Sequence, residues 1–373
     1  MKLKNLTLWI AACALAVSMA SCGSDEPEPN IPGNNNNNNN QGGGDKPAVT
    51  ADFARGADVS WVTELEAKGY KFYNKKNEET DLFRLLREEC NVTAIRLRVW
   101  VNPANGYNGV EDVLAKAKRA HAQGMNLMID FHMSDSWADP SQQHAPEAWK
   151  LKTPEQTVQN IRDHVTSVLT RLKSAGIDVK WVQIGNETRA GFLQELNGLM
   201  KGQNANEFPR YFNAGYEAAK AVYPKAEVIA HLDKGENRDI YTWFFDLMKK
   251  NNVKYDVIGM SLYPETETSN PWSVSLNQKA VNDCLSNIEY LHNRYGKKVM
   301  LCEIGFHYTN GKAGKKAIRQ IMEKYPKGDI LEGIFYWEPE APEEEGYKKG
   351  AFVNGRPNEA LEAFVQNMLT PAN

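Results

Sequence analysis

Cysteine is scarce in this sequence of 373 residues: there are five, too few and too odd in number for a disulfide framework. No two histidines have the spacing of metal ligands on one helix, no serine or cysteine triad motif is present, and no glycine-rich phosphate loop follows the first predicted strand. The formal net charge is only −3, with both signs interspersed, which argues against a nucleic-acid partner. We therefore expect neither metal nor cofactor, and we expect Cys90, Cys284 and Cys302 to be buried thiols.

Long apolar runs are also absent, apart from one near the N-terminus. Residues 1–21 carry Lys2 and Lys4, an apolar run from Leu6 to Met19, and small residues after it. This pattern is typical of a secretory signal and is too short for a membrane-spanning helix. Residues 19–22, Met-Ala-Ser-Cys, resemble a bacterial lipoprotein box, which predicts lipid modification of Cys22; an ordinary secretory signal is the alternative.

The segment from residue 22 to residue 50 has almost no apolar residues. It contains seven consecutive asparagines, Asn34–Asn40, and three glycines, Gly42–Gly44, so it cannot bury enough surface to fold. Residues 24–28, Ser-Asp-Glu-Pro-Glu, resemble the acidic surface-export signal of Bacteroidetes lipoproteins. We predict a disordered tether on an exported lipoprotein at the outer-membrane surface of a Gram-negative bacterium. Residues 51–373 then form one monomeric domain.

From Phe53 onward, short apolar runs alternate with helix-period segments. The predicted strands are Ala54–Val59, Thr93–Val101, Asn126–Phe131, Lys180–Ile184, Glu227–Ala230, Val257–Leu262, Val299–Ile304 and Gly333–Trp337. The predicted helices are Asp81–Cys90, Val110–Gln123, Pro154–Ser174, Arg210–Val222, Ile240–Lys250, Asn277–Tyr295, Lys315–Lys324 and Glu359–Met368. Eight alternations predict a closed (β/α)₈ TIM barrel; an open doubly wound sheet is the alternative.

Polar residues interrupt the apolar runs at the ends of the predicted strands, where a TIM barrel carries its chemistry. Glu187 follows the fourth strand and Glu303 ends the seventh. A pair of acids at one rim is the equipment of glycoside hydrolysis, in which one carboxyl group protonates the leaving oxygen and the other attacks carbon 1 or activates water. Arg96 and Arg98 share one face of the second strand and can keep a carboxylate ionised. One alternative is that Asn186 caps the next helix and Glu187 lies in its first turn; the other is a structural salt bridge from Glu303 to Arg96 or Arg98.

The same rim carries aromatic residues suited to stacking on sugar rings, although core packing explains many tryptophans equally well. The candidates are Trp61, Trp100, Trp137, Trp272 and Trp337. The acidic run Glu343–Glu345 is most simply a solvated loop, and a calcium site there has no further support in the sequence.

Six blocks of the chain resemble successive motifs of glycoside hydrolase family 53. They are GADVS at Gly56–Ser60, IRLRVWVNP at Ile95–Pro103, FHMSDSWADP at Phe131–Pro140, IGNETRAG at Ile184–Gly191, HLD at His231–Asp233 and CE at Cys302–Glu303. The blocks occur in the family order, and the resemblance extends over nearly the whole domain.

The resemblance implies a (β/α)₈ endo-β-1,4-galactanase that retains configuration and acts on the galactan side chains of pectin. By matching position, Glu187 resembles the general acid/base and Glu303 the nucleophile. The substrate-binding set that the matching positions imply consists of Asn186, Arg96, Asp58, His132, Asp135, Trp137, His231, Asp233, Tyr263 and Trp337. Within it, Asn186 resembles the residue that binds the 2-hydroxyl, Arg96 the one that holds the nucleophile, and Trp337 the floor of the subsite beside the bond that breaks. The loops after strands 7 and 8 are short, so the calcium bound there by some members is not carried over.

Two other functions stay open at this point. One is another retaining endo-glycanase of the same barrel type. The other is a non-catalytic surface lipoprotein that binds glycan, although such a protein is expected to have lost one of the two acids.

Overall fold

Eight parallel strands of the described residues close into a barrel. The computed structural model describes residues 52–267 and 274–365; the predicted signal, Cys22, the tether and Trp272 lie outside them. The barrel strands, β1 to β8, are Ala54–Asp58, Ala94–Val99, Asn126–Phe131, Trp181–Ile184, Glu227–Leu232, Val257–Leu262, Lys298–Ile304 and Leu331–Trp337. Parallel pairing of β1 with β8, from Ala54 opposite Gly333 to Asp58 opposite Trp337, closes the ring. The (β/α)₈ prediction is confirmed, and the open-sheet alternative is wrong.

The helices surround the strands on the outside. Within the described ranges the α-helices, α1 to α8, are Val62–Ala67, Leu82–Glu88, Val110–Ala122, Pro154–Ser174, Phe208–Val222, Arg238–Lys250, Gln278–Tyr295 and Gly311–Lys324. The beginning of α4 illustrates how the sequence specifies a boundary. The Thr153 side chain accepts a hydrogen bond from the Gln156 amide, the Gln156 side chain accepts one from the Thr153 amide, and Pro154 occupies the first turn.

Two helical predictions differ from the structure. Helix α1 was not predicted, because it has six residues and no side chain caps its first turn. The predicted helix Glu359–Met368 is instead a short 3₁₀ turn at Leu361–Phe364 in the part that the structure describes, while residues 366–368 lie outside it. Asn358 accepts a hydrogen bond from the Ala360 amide at the start of this turn.

The apolar core has two layers. The larger layer lies between strands and helices, and a smaller one fills the barrel interior with Ala54, Ala94, Met128, Trp181, Ile229, Val257, Met300, Cys302 and Phe335. Gly56 makes room for this filling, because a Cβ atom there would lie 2.2 Å from the Phe335 ring. Cys90, Cys284 and Cys302 are buried free thiols, as predicted. Of the helices in residues 52–267 and 274–365, none combines the length and apolarity needed to cross a membrane.

Candidate active site

A layer of polar side chains lies above the apolar filling, at the C-terminal ends of the strands. It follows from strand alternation, since every second residue of a barrel strand faces inward. Ala94 on β2 belongs to the interior apolar cluster, and Arg96 follows it two residues later on the same face. On β6, Val257 belongs to the cluster and Ser261 follows four residues later. The strands thus change from apolar to polar toward one end, and the site lies there.

Glu187 is held by an unusual turn after β4. Gly185 has φ +79°, and a Cβ atom at that position would lie 2.5 Å from Thr188. Glu187 itself has φ +45°, a left-handed conformation that is strained for a residue with a side chain and that clusters at functional sites. The amide of Thr188 donates to the His231 carbonyl at 2.8 Å and pins the turn to β5. The next α-helix begins only at Phe208, so the alternative in which Asn186 caps a helix and Glu187 lies in its first turn is wrong.

Glu303 reaches the barrel axis through a β-bulge. Met260 pairs with Leu301, but the next residue of β6, Ser261, pairs with Glu303, so Cys302 is an extra residue in β7. Met300 and Cys302 both belong to the interior cluster. Regular alternation would turn Glu303 outward, whereas the bulge turns Cys302 and Glu303 inward in succession.

Arg96 is the centre of the buried charges. Its guanidinium group lies 2.8 Å from Asp58, 2.8 Å from Asp130 and 2.9 Å from Glu303, and only 1% of its surface is exposed. Its Nε donates to Gln183 Oε1 and its Nη2 to Asn186 Oδ1. Three carboxylates surround one cation, and such a cluster is stable only while the cation remains in place. Arg96 therefore holds the carboxylates of Asp58, Asp130 and Glu303 in position.

Glu303 has two fixed partners. Its Oε1 lies 2.9 Å from Arg96 Nη1, and its Oε2 accepts a hydrogen bond from the Tyr263 hydroxyl at 2.8 Å. Burial raises the pKa of the Glu303 carboxyl, while Arg96 and the Tyr263 hydrogen bond act in the opposite direction and limit the rise.

Glu187 lies opposite Glu303, and its negative charge has fewer stabilising partners than the charge of Glu303. A carboxylate oxygen of Glu187, one of Glu303 and a ring nitrogen of His231 all lie within 4.8 Å of one another. Burial, and next the negative charge of Glu303, hold the pKa of the Glu187 carboxyl well above its usual range. The Ser261 hydroxyl donates to Glu187 Oε1 at 2.6 Å and opposes this rise. The pair therefore ionises in order, with Glu303 losing its proton before Glu187.

Asn186 and His132 are oriented by their neighbours. Asn186 Nδ2 donates to the carbonyl of Ala138, which fixes its amide group. The Ala138 amide in turn donates to His132 Nδ1 at 3.2 Å, so the hydrogen of a neutral His132 ring lies on Nε2, where it donates to Asp130 at 2.9 Å. Both side chains are more than nine-tenths buried at the floor of the site.

Three predicted binding residues have mainly structural contacts. Asp58 and His231 have no exposed surface, so the structure differs from the expectation that they contact a substrate directly. Asp58 is buried in its ion pair with Arg96, and the backbone carbonyl of His231 accepts a hydrogen bond from the turn after β4. Asp135 accepts backbone hydrogen bonds from Asn102 and Glu147, both at 2.9 Å, and ties two loops together.

Four of the five predicted aromatic residues, all but Trp272, which lies outside the described residues, form a cluster. The Trp137 ring lies 5.8 Å from Trp61, 5.5 Å from Trp100 and 6.0 Å from Trp337. Trp337 is half-buried and contacts Tyr347 at 4.8 Å. This cluster forms one wall beside the two acids.

Arg98 belongs to this wall rather than to the acids. Its guanidinium group lies 4.2 Å from the Trp137 ring centre and pairs with the buried Glu338. Only Arg96 reaches Glu303, so the expectation that both arginines keep that carboxylate ionised is wrong for Arg98. The two side chains lie one strand repeat apart, which places Arg98 above the acids and among the tryptophans.

The donor atoms offer little to a metal ion. Among the described residues, Glu187, His231 and Glu303 are the one group of three with metal-ligating atoms close together. Both ring nitrogens of His231 are already in hydrogen-bond contact, Nδ1 with Gln183 and the Glu187 amide, and Nε2 with Ser261. Burial and then Arg96 hold the pKa of His231 well below its usual range, so the ring is neutral. In the acidic run, Glu345 pairs with Lys68 at 2.6 Å.

Asp233 and Arg189 lie at the other side of Glu187. Arg189 Nε lies 3.3 Å from Asp233 Oδ1, and Asp233 is 9% exposed. Burial raises the pKa of the Asp233 carboxyl, and its charge contributes to the raised pKa of Glu187.

Three residues of the site were not predicted from the sequence: Asp130, Gln183 and Ser261. Gln183 Nε2 donates to Asp130 Oδ1 at 2.6 Å, and Ser261 contacts Glu187. Asp130 and Ser261 are polar residues within apolar strands, two positions before the predicted His132 and Tyr263. Since inward-facing residues alternate, that spacing was a usable signal.

Comparison with known proteins agrees with this geometry. The sequence profile of the family described as Glycosyl hydrolase family 53 matches residues 54–371. The endo-β-1,4-galactanase of Bacillus subtilis is 33% identical over 319 residues, covering 77% of this chain and 70% of that protein. The arabinogalactan endo-β-1,4-galactanase of Cellvibrio japonicus is 30% identical, covering 77% and 80%.

Solved structures show the same relationship. A fungal β-1,4-galactanase superposes with a TM-score of 0.73 at 25% identity and covers 84% of this chain and 99% of that one. The GH53 catalytic domain of Ignisphaera aggregans superposes with a TM-score of 0.73 at 28% identity, covering 85% and 97%. The chain belongs to glycosyl hydrolase family 53.

Proposed function

We propose that the protein is an endo-β-1,4-galactanase that cleaves by double displacement with retention of configuration, with Glu187 as general acid/base and Glu303 as nucleophile. The observation that carries the proposal is the pair of carboxyl groups, which have oxygens within 4.8 Å and have different fixed partners. Retaining enzymes have their two carboxyl groups about 5–5.5 Å apart, whereas inverting enzymes need about 6.5–9.5 Å to admit a water molecule.

In the first step, a carboxylate oxygen of Glu303 attacks carbon 1 of the sugar. The bond from carbon 1 to the leaving oxygen breaks, and Glu187 transfers its proton to that oxygen. The higher pKa of Glu187 keeps the proton available, while Arg96 and Tyr263 favour the ionised nucleophile. The step leaves a glycosyl ester on Glu303 and a carboxylate on Glu187.

In the second step, Glu187 takes a proton from water, and the water oxygen attacks carbon 1. The ester bond breaks, Glu303 regains its carboxylate, and the sugar leaves with the β configuration that it had in the polymer. Esterification removes the negative charge that raises the proton affinity of Glu187, so the acid of the first step becomes a base for the second.

The surroundings of the acids suit a sugar substrate. Trp337 offers a half-exposed ring for stacking, next to the other indoles of the wall. Asn186 has an oriented amide beside Glu187 and is the candidate for the 2-hydroxyl, with His132 next to it. On the other side of Glu187, Asp233 offers a carboxylate oxygen to the leaving sugar.

The substrate is assigned from the relatives. The proteins of Bacillus subtilis and Cellvibrio japonicus are an endo-β-1,4-galactanase and an arabinogalactan endo-β-1,4-galactanase, and this chain covers at least 70% of each. On this basis we assign linear β-1,4-galactan and the galactan of type I arabinogalactan as substrates, cleaved at internal bonds.

Digestion of linear β-1,4-galactan with timed product analysis tests the proposal. We expect a ladder of intermediate oligomers and, by proton NMR, products that first appear as the β anomer. Glu303→Ala should lose essentially all hydrolysis but still bind oligosaccharide, whereas Glu217→Ala, on the outer face of α5, should match the wild type. Release of one small product from the start, α-anomeric product, or greater release from xylan or mannan would each overturn the assignment. Galactan binding without any product would identify a glycan-binding protein instead.

The N-terminal region supports a proposal for location. The basic start, the short apolar run and Cys22 are the observations that favour export as a lipoprotein, with cleavage after residue 21 and residues 22–50 as a tether. On this basis the enzyme works at the outer-membrane surface of a Gram-negative cell. In cells, Cys22→Ser should abolish incorporation of labelled palmitate and release the protein from the membrane fraction. Unchanged membrane association of that variant would contradict the anchor.

A further inference from the structure

Ser261 links the candidate acid/base to a second buried group. It lies on the inner face of β6, is 1% exposed, and pairs with Glu303 because of the β7 bulge. Its Oγ atom lies 2.6 Å from Glu187 Oε1 and 2.9 Å from His231 Nε2. A hydroxyl group between a carboxyl group and an imidazole ring can donate to only one of them.

The direction of the hydrogen bonds follows from the other nitrogen of His231. Two donors face Nδ1: the backbone amide of Glu187 at 3.3 Å and Gln183 Nε2 at 3.0 Å. Nδ1 is therefore an acceptor. Asn186 Oδ1 lies 3.0 Å from the same Nδ1, but it accepts a hydrogen from Arg96, and the two hydrogens of Gln183 Nε2 go to Asp130 and to His231. A neutral ring with an acceptor at Nδ1 carries its hydrogen on Nε2. His231 therefore donates to Ser261, and the Ser261 hydrogen points at Glu187.

We propose that Ser261 is a positioning residue for the acid/base: its hydrogen bond occupies Oε1 of Glu187, so that the transferable proton resides on Oε2. This inference rests on the proposed function. Because Oε1 of Glu187 accepts a hydrogen from Ser261, Oε2 is the free oxygen. Oε2 carries the proton that Glu187 donates in the first step, and it accepts the proton from water in the second step. One oxygen then serves both steps, and the carboxyl group does not rotate between them.

The same hydrogen bond affects the charge of the acid. Glu187 faces Glu303 on β7, His231 on β5, Asp233 directly after β5, and Arg96 on β2. Burial and the two carboxylates favour its protonated form, Arg96 opposes them, and neutral His231 adds no charge. Ser261 is the direct donor that favours the carboxylate, so its removal raises the pKa of Glu187 further. The alkaline limb of the activity profile, where the acid loses its proton, then moves to higher pH.

The test compares Ser261→Ala with Ser261→Thr, which keeps a hydroxyl group, and with Ser134→Ala as a matched control. Ser134 is also a buried serine at this end of the barrel, 2% exposed, but its Oγ only accepts a weak hydrogen bond from the Ser136 amide at 3.4 Å. Two measurements apply to each variant: kcat and KM on β-1,4-galactan across pH, and the titration of Glu187 without substrate. The titration is followed by carboxyl infrared or carbon NMR signals, which Glu187→Gln assigns.

We expect Ser261→Ala to reduce kcat about tenfold, with KM little changed; the loss is smaller than the roughly 10²–10⁴-fold of a whole general acid–base contribution because Glu187 itself remains. Its alkaline limb and its Glu187 titration should both move upward, and Ser261→Thr should largely restore both. An unmoved titration and limb, or a loss of activity that Ser134→Ala shares, would overturn the inference. If the titration moves but the wild-type enzyme leaves galactan intact, the hydrogen bond is supported and the proposed function fails.

Discussion

The proposed reaction needs a carboxyl group at Glu187, whereas the stability of the fold is reduced by a second buried acid beside Glu303. A carboxylate oxygen of Glu187 lies within 4.8 Å of one on Glu303, and the Arg96 cation contacts the other acid, Glu303. We therefore expect Glu187→Gln to abolish galactan hydrolysis and to stabilise the fold. Glutamine keeps an oxygen that can accept the Ser261 hydrogen bond, so the substitution removes the charge and little else.

The size of the gain follows from Coulomb's law. Two unit charges at 4.8 Å interact by about 3.5 kcal/mol at an effective dielectric constant of about 20. The raised pKa of Glu187 sets the sign with pH. Between the ordinary glutamate pKa of about 4.3 and its raised native value, the folded protein holds a proton that the unfolded chain has lost. The stability that this proton confers is fully present below the ordinary glutamate pKa, and it is lost as pH rises through the raised pKa of Glu187.

Urea unfolding of wild type and Glu187→Gln measures the difference. The free energy of unfolding of the variant should exceed that of the wild type by about 2–3 kcal/mol at about pH 8 and by much less at about pH 5, with equal m-values. Glu217→Gln, an exposed glutamate on α5, is the control and should stay within about 0.5 kcal/mol. Equal or lower stability of Glu187→Gln at both pH values would refute the idea that the acid pair stores repulsion.

Three further outcomes follow from the structure. Arg96→Met leaves three buried carboxylates without their cation and should reduce the free energy of urea unfolding by about 3–5 kcal/mol; a loss below 1 kcal/mol would contradict the network. Trp337→Ala should lower kcat/KM on galactan about tenfold through lost stacking, while urea stability falls less than for Arg96→Met. Burial and the charge of Glu332 raise the pKa of Glu227 to about 7, so folding stability is lost as pH rises from about 4.5 through 7. Glu227→Gln should remove about 1 kcal/mol of that dependence, measured as thermal stability across pH.

The barrel, and the position of the two acids at the ends of strands, were predictable because both depend on periodicity. Apolar runs mark buried strands, and polar residues at their ends mark the face where a TIM barrel carries its site. Glu187 and Arg96 lie at such positions, and the structure brings them together with Glu303. The same rule applied two residues earlier would have added Asp130 and Ser261.

Other features depend on geometry that one sequence does not display. By strict alternation from Met300 and Cys302, Glu303 would face the helices; only the bulge, set by pairing with β6 and β8, turns it inward. Arg96 and Arg98 look equivalent on one strand face, yet a difference in height of one repeat assigns the first to Glu303 and the second to Glu338. Pairings of this kind arise from the closed barrel, and a pattern along the chain does not contain them.

The hydrogen-bonded layer around Arg96 receives side chains from seven strands of the described barrel, β1 to β7. Its members are Asp58, Arg96, Asp130, Gln183, His231, Ser261 and Glu303. No half of the barrel holds this set, so we expect a partly opened barrel to be inactive. Heat inactivation should therefore coincide with loss of tertiary structure, and galactan hydrolysis becomes a direct report of barrel closure.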